Sequence, residues 1–346
     1  MAGCLTSLGL PRTVRASGRV TFDSQVTAND GRGEPEIAVD VNDPSYLVDT
    51  YTNGTAVSVD GGLHWRQVRA GQSDPVVVAD GSGNFFASGL GSFASGPGSS
   101  EYQFSESTDH GTSWASVGGP LHNPLPAGWS VPDTSVNPSG GPLYMGPSAV
   151  GCDRPLSGAD LNTGALFASC ADHGDPAGGE RGDTWPAYFV TCRSNVFAAE
   201  GMPNCGRRYV SVSHDHGKTW SAWQPEDSAD YPAGYTGAFG GIPVGAHGVF
   251  ATAYVAGAAP GSDCTQCAIF QTSTDDGKSW NRHLVPGATP QIQTFTTANP
   301  TSFGSTDNQS VWFEPYVAAD PSRPGRFAIM VLDATRTELL VYVTTD

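Results

Sequence analysis

Ser58-Val59-Asp60-Gly61-Gly62-Leu63-His64-Trp65 is followed along the chain by three further copies of one pattern. These are Ser107-Thr108-Asp109-His110-Gly111-Thr112-Ser113-Trp114, Ser213-His214-Asp215-His216-Gly217-Lys218-Thr219-Trp220 and Ser273-Thr274-Asp275-Asp276-Gly277-Lys278-Ser279-Trp280. The shared form is SxDxGxxW, and each fixed residue suits a tight turn between two strands. An Asp carboxylate accepts N–H groups of its own turn, Gly supplies a positive φ, and Trp lays a large apolar plate on a neighbouring strand. The residues entering the later copies, Tyr209-Val210-Ser211-Val212 and Ala268-Ile269-Phe270-Gln271, read as strands.

A second repeat opens the units. Glu34-Pro35-Glu36-Ile37-Ala38-Val39-Asp40 is echoed by Asp74-Pro75-Val76-Val77-Val78-Ala79-Asp80 and by Glu314-Pro315-Tyr316-Val317-Ala318-Ala319-Asp320. Each unit thus begins with an acid, a Pro, a four-residue apolar strand and an Asp turn. The SxDxGxxW Asp residues lie at 60, 109, 215 and 275, with gaps of 49, 106 and 60. The middle gap is two units long, so we read a unit between residues 119 and 180 whose turn motif has decayed, with Leu166-Phe167-Ala168-Ser169-Cys170 as one strand. The last unit stops at Thr344-Thr345-Asp346 without its fourth strand, while Gly18-Arg19-Val20-Thr21-Phe22 is a strand without a unit. The N-terminal strand is therefore expected to complete the final sheet, and closure removes exposed sheet edges. Repeats of this length and content predict an all-β, six-bladed β-propeller of four-stranded antiparallel blades, or seven if residues 119–200 hold another. Residues 17–346 form that single domain, and residues 1–16 are read as a disordered leader.

Composition agrees. Gly (44) and Pro (26) make up about a fifth of the 346 residues, charged residues are 15%, and Lys218 and Lys278 are the only lysines. No stretch sustains the 3.6-residue apolar period of surface helices. A formal charge of −17 repels a phosphate backbone and argues against nucleic acid as a partner. No apolar run is long enough for a transmembrane helix. A soluble or tethered monomer is expected.

Six of the seven cysteines fall mid-chain, and proximity pairs Cys152 with Cys170, Cys192 with Cys205 and Cys264 with Cys267, as in exported proteins. A lone CxxC at 264–267 does not supply the second pair that a zinc site needs. Met1-Ala2-Gly3-Cys4 has the form of the end of a lipoprotein signal, and equally of a free cysteine in a leader. The expected location is extracellular or at the cell surface, with lipid anchoring through Cys4 as the tethered form.

The four SxDxGxxW copies, at the ends of units of about 50 residues, resemble the Asp-box, or bacterial neuraminidase repeat, of the sialidase propeller superfamily. That resemblance implies that Asp60, Asp109, Asp215 and Asp275 are structural, lying away from the catalytic face. It also implies, for a sialidase proper, an arginine two residues before the opening Pro; this chain has Gly33-Glu34-Pro35 there, with Arg32 one residue off. A one-residue shift on a strand turns a side chain to the other face, so the expected substrate is a sugar other than sialic acid.

In a propeller the first strand of each blade lines the central channel. Glu34, Asp74 and Glu314, joined by Asp183 ahead of Trp185-Pro186, are thereby candidates for a carboxylate group at its mouth, where like charges raise one another's pKa and supply an acid and a base. Trp185, Trp312 and Tyr235 are candidate stacking platforms for a sugar ring, and Arg32 a candidate substrate contact. Two other readings stand beside this one: acids before Pro that satisfy turn N–H groups, and a Ca²⁺ on the axis. No cofactor is expected otherwise. His214 and His216 form an HxH, but both occupy variable positions of an exposed turn. No GxSxG elbow or GxxxxGK loop is present. The chain reads as a secreted, sialidase-like glycoside hydrolase with a carbohydrate or glycoconjugate substrate, or as a non-catalytic propeller that binds a glycan or a cell-surface protein.

Overall fold

The computed structural model describes residues 35–52, 54–69, 73–90, 102–120, 152–172, 208–226, 228, 230, 233–235, 241–256, 259–262, 267–287, 315–332 and 339–344. They form five antiparallel sheets in chain order. The first holds β1 (Glu36–Val39), β2 (Leu47–Tyr51), β3 (Gly54–Ser58) and β4 (Arg66–Arg69). The second holds β5 (Ser73–Ala79), β6 (Phe85–Leu90), β7 (Tyr102–Ser107) and β8 (Ala115–Gly118). The third is built from β9 (Cys152–Ala159), β10 (Leu166–Asp172), β11 (Arg208–Ser213) and β12 (Gln224–Pro225). The fourth contains β13 (Ala233–Tyr235), β14 (Phe250–Ala256), β15 (Cys267–Ser273) and β16 (Asn281–Leu284), and the fifth β17 (Tyr316–Ala319), β18 (Phe327–Leu332) and β19 (Leu339–Val343). Within each sheet the strands lie side by side in sequence order. Among the described residues the helical content is one 3₁₀ turn, Ala246–Gly248.

Successive sheets stack face to face, which is why a strand such as β3 is buried along its whole length rather than on alternate residues. Ala38, Val48 and Val57 of the first sheet pack on Val77 and Phe85 of the second. Phe86, Tyr102 and Phe104 meet Leu166, Ala168 and Tyr209 of the third. Phe167 and Val212 then meet Phe250 of the fourth, and Ala251 and Phe270 meet Phe327 and Ile329 of the fifth. Each of the large side chains Phe85, Phe86 and Phe104 is fully buried, worth about 1.5–3 kcal/mol apiece. Inner strands also adjoin one another, β1 against β5 and β5 against β9.

At one end the turns interlock. Asp40, Asp80 and Asp160 are buried, and each closes its own Asx turn: Asp40 Oδ1 accepts the Asn42 N–H, Asp80 Oδ1 those of Ser82 and Asn84, and Asp160 Oδ1 that of Asn162. Asn42 donates through Nδ2 to the Gly81 carbonyl of the next sheet. Gly83, at φ +83°, approaches Asp40 so closely that a Cβ would sit 2.8 Å from its Oδ2.

The unit read between residues 119 and 180 is corrected. Leu166–Asp172 pairs with both β9 and β11, so it belongs to the sheet that carries the Ser213–Trp220 motif. The 106-residue gap thus contains one described sheet, and its extra length lies in segments outside the described residues. The strand read at residues 18–22 also lies outside them, as do residues 1–16 and Cys4. The fifth sheet has three described strands. The first and fifth sheets each turn exposed apolar side chains away from the stack, Ile37 and Val39 on one and Tyr316, Leu339, Val341 and Val343 on the other.

Candidate active site

The four SxDxGxxW turns share one geometry. Ser58 Oγ donates to Asp60 Oδ1 and accepts the Gly62 N–H, while Asp60 Oδ1 also accepts the His64 N–H. The same three bonds recur at Asp109, Asp215 and Asp275. Side-chain partners complete each carboxylate: His64, Ser113, Thr219 and Ser279. These bonds hold Asp60 and Asp215 down to about 2 and lower Asp109 and Asp275, with the partner side chain the largest cause in each case. A carboxylate so fixed is a poor proton donor near neutral pH; its work is to close the turn.

The residue after each Asp and the Gly that follows both take positive φ: Gly61 and Gly62, His110 and Gly111, His216 and Gly217, Asp276 and Gly277. In the later three copies that first residue reaches back to the preceding sheet. His110 Nδ1 lies 3.2 Å from Asp40 Oδ2 and its ring stacks on Tyr46; His216 Nδ1 lies 3.3 Å from Glu106; Asp276 lies 3.1 Å from His214 Nε2. The HxH histidines are thus engaged in contacts between sheets. Among the described residues no group of three or more His, Cys, Asp and Glu is placed to hold a metal ion.

Strand direction sets the candidate site at the other end. β1, β5, β9 and β17 each run from an X-Pro step to an Asp turn, and that Asp turn lies with the SxDxGxxW turns, as the bond from Gly61 N to Ser45 O shows for the first sheet. The start of each inner strand is the far end. In β5, Ser73 pairs with Leu90 and Val76 with Ser88, so Asp74 and Pro75 together oppose Gly89 in a bulge. Proline fits there because a bulge residue need not donate to the ladder, and bulges re-aim the chain next to functional sites. Glu36 stands at the same end of β1, opposite Thr50. Burial first, and then the charge of Asp49, push its carboxyl above the ordinary range. Thr50 is buried, and its hydroxyl has no hydrogen-bond partner among the described residues. Glu36 was missed in the sequence because it follows the repeated acid and Pro instead of leading them; only the burial of its carboxyl marks it.

A fourth copy of the opening repeat, third in chain order, was also missed. Arg154-Pro155-Leu156-Ser157-Gly158-Ala159-Asp160 has the Pro and the Asp at the spacing of the other copies, but arginine holds the acid's place and Ser-Gly breaks the apolar run. The register makes the equivalence plain: Ser169 pairs with Leu156 and Ala171 with Asp153, so Arg154 and Pro155 form a bulge like that of Asp74 and Pro75.

Of the other sequence candidates, Glu34, Glu314, Asp183, Arg32, Trp185 and Trp312 lie outside the described residues, although Pro35 and Pro315 lead directly into β1 and β17. Tyr235 ends β13, opposite Val255. Arg282 lies on β16 and donates to the backbone carbonyl of Glu226, on the outer strands between the third and fourth sheets. Cys152 and Cys170 fall on neighbouring strands, with Cys152 opposite Asp172. Cys267 is buried; Cys192, Cys205 and Cys264 lie outside the described residues.

The family model of the BNR/Asp-box repeat matches residues 211–222, the third turn and the strand entering it. Residues 211–222 thus match the Asp-box repeat, and the other three turns repeat the same bonds. No curated protein matches it. Among solved structures, a GH93 α-L-arabinofuranosidase of Fusarium graminearum in complex with arabinobiose is 17% identical at a TM-score of 0.44, over 89% of this chain and 76% of that one. A Hadza microbial sialidase is 17% identical at 0.43, over 88% of this chain and 53% of its own. A GH74 xyloglucanase from Xanthomonas campestris is 15% identical at 0.41, over 90% of this chain and 36% of its own.

Proposed function

We propose that this Asp-box protein is an exported glycoside hydrolase, with its active site at the inner-strand starts, the end of the sheets away from the boxes. The observation that carries the reading is Glu36. It is a carboxyl pushed up by burial and by Asp49, on the strand adjoining the one that bears Asp74. Two carboxyls whose surroundings separate their protonation states divide the work of glycosidic cleavage: the raised one protonates the leaving oxygen, and the ionised one activates water or attacks the anomeric carbon. Glu36 takes the first role and Asp74 the second, with Glu34 and Glu314 extending the acidic mouth in a closed ring of blades. Export goes with the cysteine pairing read from the sequence, in which the buried Cys267 would bond Cys264.

A screen against aryl glycosides, sialosides included, tests the proposal. Turnover by the wild-type chain, lost by at least about 100-fold in Glu36→Gln and in Asp74→Asn with thermal unfolding unchanged, is the expected result. Glycan binding without turnover of any substrate, unaffected by either substitution, would replace the enzyme with a binding module.

A further inference from the structure

Three buried hydroxyls from three strands meet between the second and third sheets. Ser88 of β6, Tyr102 of β7 and Ser157 of β9 are each at most 1% exposed, beside an apolar cluster of Phe86, Phe104 and Leu166. Tyr102 OH lies 2.5 Å from Ser157 Oγ, Ser157 Oγ lies 2.5 Å from Ser88 Oγ, and Ser88 Oγ donates over 3.3 Å to the Val76 carbonyl. Each hydroxyl has one proton, and that of Ser88 goes to Val76. The one arrangement that supplies a proton to both 2.5 Å contacts therefore has Ser157 donating to Ser88 and Tyr102 donating to Ser157. It is a chain of donors that starts at Tyr102 and ends on the backbone of β5.

Val76 is where the β5 ladder resumes. Ser73 pairs with Leu90 and Val76 with Ser88, and between them Asp74 and Pro75 oppose Gly89 alone; Pro75 has no N–H for the ladder. Ser157 holds the corresponding place on β9, just beyond the bulge at Arg154 and Pro155, where Leu156 pairs with Ser169 and Ser157 with Ala168. The hydroxyl chain thus fastens two interrupted inner strands to each other, next to the end of the sheets assigned above to catalysis. Packing alone does not call for it, since apolar side chains fill the rest of this interface and buried hydroxyls stabilise only when satisfied. We infer that Tyr102 is a positioning residue for the mouth: through Ser157 and Ser88 it sets where β5 leaves the bulge at Asp74 and Pro75. This deepens the proposed hydrolase and rests on it for the meaning of that bulge.

Tyr102→Phe keeps the ring against Phe104, 4.9 Å away between centroids, and removes the first donor. Hydrogen exchange followed by mass spectrometry on peptides spanning Ser73–Ala79 reads the start of β5 without any substrate, and peptides spanning the Ser213–Trp220 box serve as the internal reference. Exchange at Ser73–Ala79 quickens by about 5- to 10-fold in Tyr102→Phe, the effect of one buried hydrogen bond, while the box is unchanged. Ser157→Ala breaks the same chain one step on and gives a similar increase; the double variant exceeds neither by more than about twofold, because both act through one path. Additive increases, or exchange at Ser73–Ala79 unchanged in both single variants, overturn the inference. If Tyr102→Phe does not fold, Ser157→Ala against wild type decides on the same peptides. On a glycoside that wild type cleaves, Tyr102→Phe lowers kcat by about 10- to 100-fold with KM within about twofold, and an unchanged kcat overturns the positioning role. Should wild type cleave no glycoside, the hydrolase falls, and the exchange measurement still decides whether Tyr102 fixes the start of β5.

Discussion

In each Asp box a single carboxylate collects a hydroxyl, a backbone N–H and a further side chain, and this has a measurable consequence in acid. The folded values of about 2 for Asp60 and Asp215 lie below the ordinary 3.8, so their stabilisation is complete above about pH 4 and is lost as pH falls toward 2. Thermal midpoints should drop across that window. Asp215→Asn should start lower at pH 6 and lose less between pH 4 and 2; equal slopes in both proteins would assign the acid sensitivity to other groups. The box glycine carries a second, separable demand. Gly62 and Gly111 share a positive φ, +88° and +83°, but a Cβ on Gly62 would have only Trp65 nearby at 3.8 Å, whereas on Gly111 it would strike Val48 of the preceding sheet at 2.6 Å. Gly62→Ala should cost roughly 1 kcal/mol for the backbone alone. Gly111→Ala should add about 1–3 kcal/mol of overpacking, as urea titration of the two variants would show.

The strands and turns divide into those that speak through local pattern and those that do not. The four boxes, the strands entering them and the Asx turns at Asp40 and Asp80 were legible because their chemistry is complete within a few residues. The third opening repeat was not, since Arg154 and Ser157-Gly158 depart from the type while the backbone keeps it; Pro155 and Asp160, at the right spacing, were the surviving signal. Gly245 conceals the fourth turn in the same way: its N–H bonds Val249 O as those of Asp40 and Asp80 bond Tyr46 O and Asn84 O, but no carboxylate marks the place. Contacts between turns are also silent in sequence. His110 looks like a variable box residue, yet it bridges to Asp40 and stacks on Tyr46 at 3.9 Å between centroids. His110→Ala should destabilise by about 1 kcal/mol, and His214→Ala, at a more exposed contact, by less; a reversed order would deny His110 its bridging role.

Five sheets stacked face to face leave two end faces, and these carry Ile37 and Val39 at one end and Tyr316, Leu339, Val341 and Val343 at the other. Closure of the proposed ring covers both. Val341→Asp should then lower the thermal midpoint by several degrees, about the effect of 1–2 kcal/mol in a chain of this size, whereas a midpoint within error of wild type would mean that this face stays open to water. Sequence periodicity supplied the idea of a ring through the spacing of the boxes, but the 106-residue interval holds one sheet among the described residues, so spacing alone does not count the blades.

The reach of the box side chains has a direction. His110, His216 and Asp276 each touch the sheet that precedes them, and Trp114, Trp220 and Trp280 pack into those same interfaces. The first box has Gly61 where the others have a reaching side chain. Orientation is therefore handed on from the N-terminal side. As the polypeptide leaves the ribosome, every newly completed unit finds its docking surface already synthesised, and assembly can keep pace with translation.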